Sequence, residues 1–171
     1  MEDQLDVALR PVTAEDDLFL FALYASTRAE ELALVDWSAE EKQAFLQMQF
    51  AAQGSHYTAH FPQAQFDLIL RNGREAGRLS VARTDEFLHI VDIALLPEHR
   101  NAGIATALIS KLQNEAASTS KPLRLHVESF NPVWRLYERL GFQKVREVGL
   151  YWLMEWRAPE DMTVRVGPER N

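Results

Sequence analysis

The stretch that decides the fold is Leu95-Leu96-Pro97-Glu98-His99-Arg100-Asn101-Ala102-Gly103-Ile104-Ala105-Thr106, where an apolar run breaks at a proline, passes a glycine-containing turn and becomes helical in its periodicity. Small residues at Ala102, Gly103 and Ala105 let an anion approach the backbone. The first N–H groups of a helix have no internal partner, so such a turn suits a phosphate. The Lys-Ser/Thr of a Walker loop is absent, and so is the first glycine of a dinucleotide fingerprint. Taken alone, one glycine and two alanines fit a plain strand-to-helix turn equally well.

Working outward, Ile90-Val91-Asp92-Ile93-Ala94-Leu95 is nearly all apolar, as expected of a central strand (87–96) covered on both faces, with Asp92 the exception. Asn72-Gly73 separates two strand-like runs, 66–71 and 74–83; both residues tolerate positive φ, so the hairpin is specified. With 87–96 it makes a three-stranded meander. At the N-terminal side, Leu5, Val7 and Leu9 alternate up to Pro11 as a first strand, and Thr13 caps a helix. Ser38-Ala39-Glu40-Glu41 is a capping box for a second helix, with Ala44, Phe45, Met48, Ala51 and Ala52 on one face and residues 27–37 as the connection between the two helices. Downstream the pattern predicts a helix over 103–117, a strand over 123–129, a helix over 132–140, and strands over 143–148 and 150–156. The order is mixed α/β.

Composition narrows the class. The chain has 171 residues, 47% apolar, with no cysteine, which removes disulfides, thiolate metal sites and cysteine nucleophiles. Its longest apolar stretch, from Leu18 to Ala25, is far short of a membrane span, and the first residues lack the zones of a secretion signal, so a cytoplasmic location is expected. A net charge of -7 opposes non-specific binding to nucleic acid or anionic lipid. Any anionic ligand must be held by local geometry. One domain over 1–158 and a polar tail over 159–171 are expected.

A second segment gives the turn its meaning: His126-Val127-Glu128-Ser129-Phe130-Asn131-Pro132-Val133-Trp134-Arg135-Leu136-Tyr137-Glu138-Arg139-Leu140-Gly141-Phe142, a strand, a turn, a short helix and a Gly-Phe exit. Together the two segments resemble the GNAT superfamily of acetyl-CoA-dependent N-acetyltransferases. That family's Arg/Gln-x-x-Gly-x-Gly/Ala pattern stands here as Arg100 to Ala105, and its Asn…Leu-Tyr-Glu-x-Leu-Gly-Phe pattern as Asn131…Phe142. The resemblance implies a twisted, mainly antiparallel sheet of about seven strands with four helices and a central splay. It also implies acetyl-CoA as co-substrate. Ile93, Ala94 and Leu95 would pair with the pantetheine arm, and Arg100, Asn101, Ala102, Gly103, Ile104, Ala105 and Thr106 would wrap the pyrophosphate. Asn131 would hydrogen-bond the cofactor, and Tyr137 would stand near its sulfur as general acid. The partners implied are acetyl-CoA and an amine acceptor, and a homodimer is compatible with the pattern. Rival readings are a non-catalytic acyl-CoA-binding module and an enzyme acting on a protein N-terminus or lysine.

Among single residues, Asp92 is either hydrogen-bonded as a structural group or a base with a raised pKa. His126 and Glu128 share one face of their strand with Arg124 and form either a proton path or a polar face satisfied by neighbours. Glu30 in the first inter-helix connection, with Trp37 and Tyr57, is a candidate for the acceptor side. His56 and His60 stand between Gly54 and Pro62, an interval read as non-helical, and no metal site is expected from them.

Overall fold

The computed structural model describes residues 5–159. Its seven strands are β1 (Val7–Pro11), β2 (Ala64–Arg71), β3 (Arg74–Arg83), β4 (Leu88–Leu95), β5 (Leu123–Glu128), β6 (Gln143–Val148) and β7 (Tyr151–Trp156). The four helices are α1 (Asp17–Ala33), α2 (Ala39–His60), α3 (Ile104–Ser118) and α4 (Trp134–Arg139). The strands form a mixed sheet in the order β1-β2-β3-β4-β5-β7-β6, the α/β class expected. The tail expected beyond Pro159 lies outside the described residues.

The chain forms two compact units, one from residues up to Val81 with Val91–Ile104, the other from Ala82–Ile90 with residues from Ala105 onward. In the first, β1 runs antiparallel to β2, from Val7 opposite Arg71 to Pro11 opposite Asp67. The β2–β3 turn places Asn72 at φ 51° and Gly73 at φ 77°, the left-handed pair a two-residue hairpin needs. Leu68, Ile69, Ala76 and Leu79 are buried, and Tyr24, Leu32 and Leu46 gather Phe21, Phe45 and Phe50 around them. Entry to α1 is fixed by Asp16, which accepts from the Thr13 backbone N–H at 2.7 Å and takes both ends of the Arg10 guanidinium. The Ser38 capping box forms as expected, with Glu41 and Ser38 bonded reciprocally.

In the second unit the first half of β4 pairs in parallel with β5, from Leu88 opposite Leu123 to Ile90 opposite Leu125. Both strands run on past that ladder. β7 then pairs antiparallel with β5 and with β6, the latter with a register slip between Lys144 and Arg146. Leu108, Ile109, Leu112 and Ala116 on α3 are buried at helical spacing, as are Leu123, Leu125, Val127 and Met154 on the strands.

Three expectations are corrected. Residues 27–33 are the last turns of α1, so Arg28, Glu30 and Glu31 lie on a helix, with Arg28 and Glu31 paired at 3.0 Å. The inward face of α2 is Phe45, Leu46, Phe50 and Tyr57, whereas Ala44, Met48, Ala51 and Ala52 are exposed; bulk, rather than a stripe of small residues, decided which face was buried. Finally, Val91 to Leu95 are half-buried, not covered on both faces like Leu88 to Ile90.

Candidate active site

The turn into α3 is left-handed at two positions, Asn101 at φ 59° and Gly103 at φ 83°. A Cβ built at Gly103 meets nothing within 4 Å, so space above it is open. The loop is anchored by its own groups: His99 N–H bonds Leu96 O at 2.9 Å, Arg100 N–H bonds Pro97 O at 3.2 Å, and Arg100 Nε bonds Leu95 O at 3.0 Å. Arg100, Asn101, Gly103 and Thr106 are exposed, Ala102 and Ala105 half-buried, and Ile104 buried. The first turn of α3 follows directly, and its N–H groups have no intrahelical acceptor. An open glycine, a left-handed turn and a helix start fit a pyrophosphate.

Just upstream, β3 crosses β4 at close quarters. A Cβ at Gly77 would lie 2.1 Å from the Ala94 carbonyl oxygen, and the Leu96 N–H bonds Ala76 O at 2.9 Å. Only glycine permits that approach. With the β5 ladder ended at Ile90, the stretch Ile93, Ala94 and Leu95 is half-buried strand able to take an extended partner.

The same unit holds a cavity of about 310 Å³ lined by Val12, Leu20, Phe50 and Phe66, by Gly54 and Tyr57 of α2, and by Asp17, Gln53, Asp67, Arg78, Ser80 and Asp92. Asp92 sits on β4 immediately before Ile93. Its carboxylate receives Arg78 Nε, and Arg78 Nη2 holds Gln53 Oε1 at 3.1 Å. Burial pushes the Asp92 carboxyl up; the adjacent Arg78 charge and hydrogen bond pull it down, and burial prevails. The hydrogen-bonded carboxylate and the raised pKa expected of Asp92 thus occur in one group. Of the acceptor-side candidates, Tyr57 lines this cavity, while Glu30 is exposed on α1 and Trp37 packs edge-on against Phe45 at 5.3 Å.

The other candidates lie in the second unit. Tyr137 is buried on α4, its ring 5.9 Å from that of Phe142. Asn131 uses Oδ1 to accept the Val133 N–H at 3.0 Å, capping the turn into α4 and leaving its amide nitrogen for another partner. His126 Nδ1 stands 3.4 Å from His89 Nε2. Burial lowers both imidazoles, His89 to about 4. Arg124 is held by Glu155 at 2.7 Å and lies over the Phe87 ring. The rings of His56 and His60 stack 4.0 Å apart because α2 continues through Gly54, contrary to the non-helical reading. No group of three or more metal-ligating side chains occurs among the described residues.

Arg78, Gln53, Asp67 and His89 were not singled out in the sequence. Arg78 was accessible in principle, since a lone arginine inside an apolar strand calls for a buried carboxylate partner.

Comparison with known proteins bears on the family and the fold. Residues 25–142 match the family model described as the acetyltransferase (GNAT) family. An N-alpha-acetyltransferase of Saccharolobus solfataricus is 35% identical over 68 residues, covering 37% of this chain and 40% of that protein, so this chain spans well under half of the curated relative it matches. The PaiA N-acetyltransferase of Thermoplasma acidophilum, solved with coenzyme A, superposes with a TM-score of 0.66 at 16% identity, covering 90% of this chain and 99% of that one. A GNAT family acetyltransferase of Elizabethkingia anophelis with acetyl-CoA bound gives 0.54 at 17% identity, over 89% and 98%.

Proposed function

This chain belongs to the acetyltransferase (GNAT) family, and from that premise we propose that it moves the acetyl group of acetyl-CoA to a primary amine of a small molecule or peptide by direct attack in a ternary complex. The observation that carries the reading is the continuity of one stretch of chain. Asp92 lines an acceptor-sized cavity, Ile93 to Leu95 follow as half-buried strand without a β5 ladder, and Arg100 to Thr106 form an open left-handed turn at a helix start. The bound co-substrate supplies an activated thioester.

The chain's residues do the rest. An amine with a Lys-like pKa of about 10.4 arrives protonated at neutral pH, and Asp92, held by Arg78, takes its proton. The amine nitrogen bonds the acetyl carbon, the carbon–sulfur bond then breaks, and the second proton that the nitrogen sheds to become an amide restores the one Tyr137 gives to sulfur. A peptide N–H of the β4 stretch bonds the oxygen that gains negative charge, and Tyr137 gives its proton to the departing sulfur. His126 and Glu128, both on β5, remain candidates for relaying protons. The absence of cysteine is compatible with a reducing compartment.

A second reading, transfer to a polypeptide N-terminus, is favoured by the name of the archaeal relative. The test is to mix the protein with acetyl-CoA and a panel of free amines and peptides, following thiol release and product mass. Acetylated product with one class assigns the acceptor; cofactor binding with no product from any acceptor overturns the transferase reading in favour of a binding module.

A further inference from the structure

Resting on the acetyl-transfer reading, we propose that the acceptor carries a second cationic nitrogen, joined to the reacting amine by an apolar spacer, and that Asp67 is the residue that selects it. The floor of the cavity runs across three neighbouring strands: Asp67 on β2, Arg78 and Ser80 on β3, Asp92 on β4. Its single guanidinium is spent on Asp92 and Gln53. Asp67 is only 8% exposed, yet among the described residues it accepts one neutral hydrogen bond, from Gln65 Nε2 at 3.3 Å, and no cation. Asp17, on the exposed first turn of α1, lines the same cavity and has no ion pair among the described residues. A buried carboxylate without a counter-charge is costly, and a ligand cation satisfies it.

That cation is not the reacting nitrogen, which must lose its charge beside the thioester strand that begins after Asp92. Two strand spacings separate β2 from β4, about 10 Å, the span of an extended seven-carbon diamine. Between the two ends the walls are Val12, Leu20, Phe50 and Phe66, which suit methylenes. Room for them comes from Gly54, where an added Cβ meets nothing within 4 Å.

The probes are 1,7-diaminoheptane and heptylamine, titrated calorimetrically into the full chain and then offered as acceptors with acetyl-CoA. The diamine is expected to bind at least about tenfold tighter, the size of one charge-assisted contact. Asp67→Asn is expected to bring the two amines within about twofold of each other by weakening the diamine alone. Equal affinities in the parent protein, or a preference unaltered in Asp67→Asn, overturn the proposal. Should that variant fail to fold, Asp17→Asn at the exposed helix start takes its place, and it must reduce the preference measurably. Gly54→Leu should weaken both amines together, since it fills the spacer's room and not the charged end. Failure of the acetyl-transfer reading looks different: the diamine is preferred in binding, but neither amine is acetylated.

Discussion

Arg78 donates its Nε to Asp92, fourteen residues further along the chain, and the same guanidinium holds Gln53 of α2 through Nη2. A helix and two strands thus fix the orientation of one carboxylate at the edge of the cavity. Arg78 also opposes the burial that raises the Asp92 pKa.

Removing that charge therefore has a definite sign. In Arg78→Gln the Asp92 pKa rises further, a larger share of the carboxyl is protonated at a given pH, and the acidic limb of the kcat/KM profile moves to higher pH. Asp92→Asn should lower the rate by about 10²-fold or more while acetyl-CoA affinity is kept. A pH–rate profile of the two variants checks both, and an unmoved limb in both excludes Asp92 as the base.

At Gly103 the substitution to Leu meets no atom of the protein, so its cost to folding is that of a left-handed non-glycine residue, about 1–2 kcal/mol. Its cost to the cofactor should be far larger, because the side chain enters the open space above the turn. Calorimetry with acetyl-CoA should find binding lost in a folded variant. Arg100→Ala should weaken binding less, since Arg100 Nε is already engaged with Leu95 O.

Tyr137→Phe keeps the ring against Phe142 and removes one oxygen. As general acid, Tyr137 should lose about 10²-fold in turnover with cofactor affinity nearly unchanged. A turnover within about twofold of the parent would assign the tyrosine to packing alone.

His89 makes stability depend on pH, and His126, also lowered by burial, adds to the effect in the same direction. Its pKa falls from 6.5 to about 4 on folding, chiefly through burial. Between those values the unfolded chain binds the proton and the folded chain does not, so stability is lost as pH drops through that interval. Asp16, lowered from 3.8 to about 2 by Arg10 and the Thr13 N–H, acts only below it. Urea unfolding at pH 7, 5.5 and 4.5 should track the first effect, and His89→Gln should reduce it, leaving the smaller part due to His126.

Gly77→Ala should destabilise the fold by about 1–3 kcal/mol and weaken acetyl-CoA binding too. The new methyl would lie 2.1 Å from the Ala94 oxygen and must displace the β4 stretch that follows Asp92. Thermal unfolding beside cofactor titration measures the two effects together.

What the sequence made legible was local. Asn72-Gly73 named its hairpin because two adjacent residues tolerate positive φ, and Ser38 with Glu41 named a helix start because both halves of the cap lie within one turn. The end of α1 and the passage of α2 through Gly54 were misplaced. There tertiary packing of Leu32 and Tyr57 outweighed weak local signals. The partner of Asp92 depends on which strand lies beside β4. The approach of His126 to His89 depends on a parallel register that no turn encodes. That Asp17 and Asp67 line one cavity was invisible for the same reason, as they are fifty residues apart.

The strand at the far margin of the sheet, β6, is exposed at every residue and has one side unpaired among the described residues. Such a margin is an open template for another chain's backbone. Here the slip between Lys144 and Arg146 breaks its straight run of N–H and C=O groups, and Lys144 lies over the rings of Trp134 and Trp152 at 3.6 and 4.9 Å. With Arg146 and Glu147 adding charge on either face, a second copy finds no uninterrupted row to zip onto. The chain can thus carry a fully wetted outer strand without inviting strand-by-strand growth into fibres.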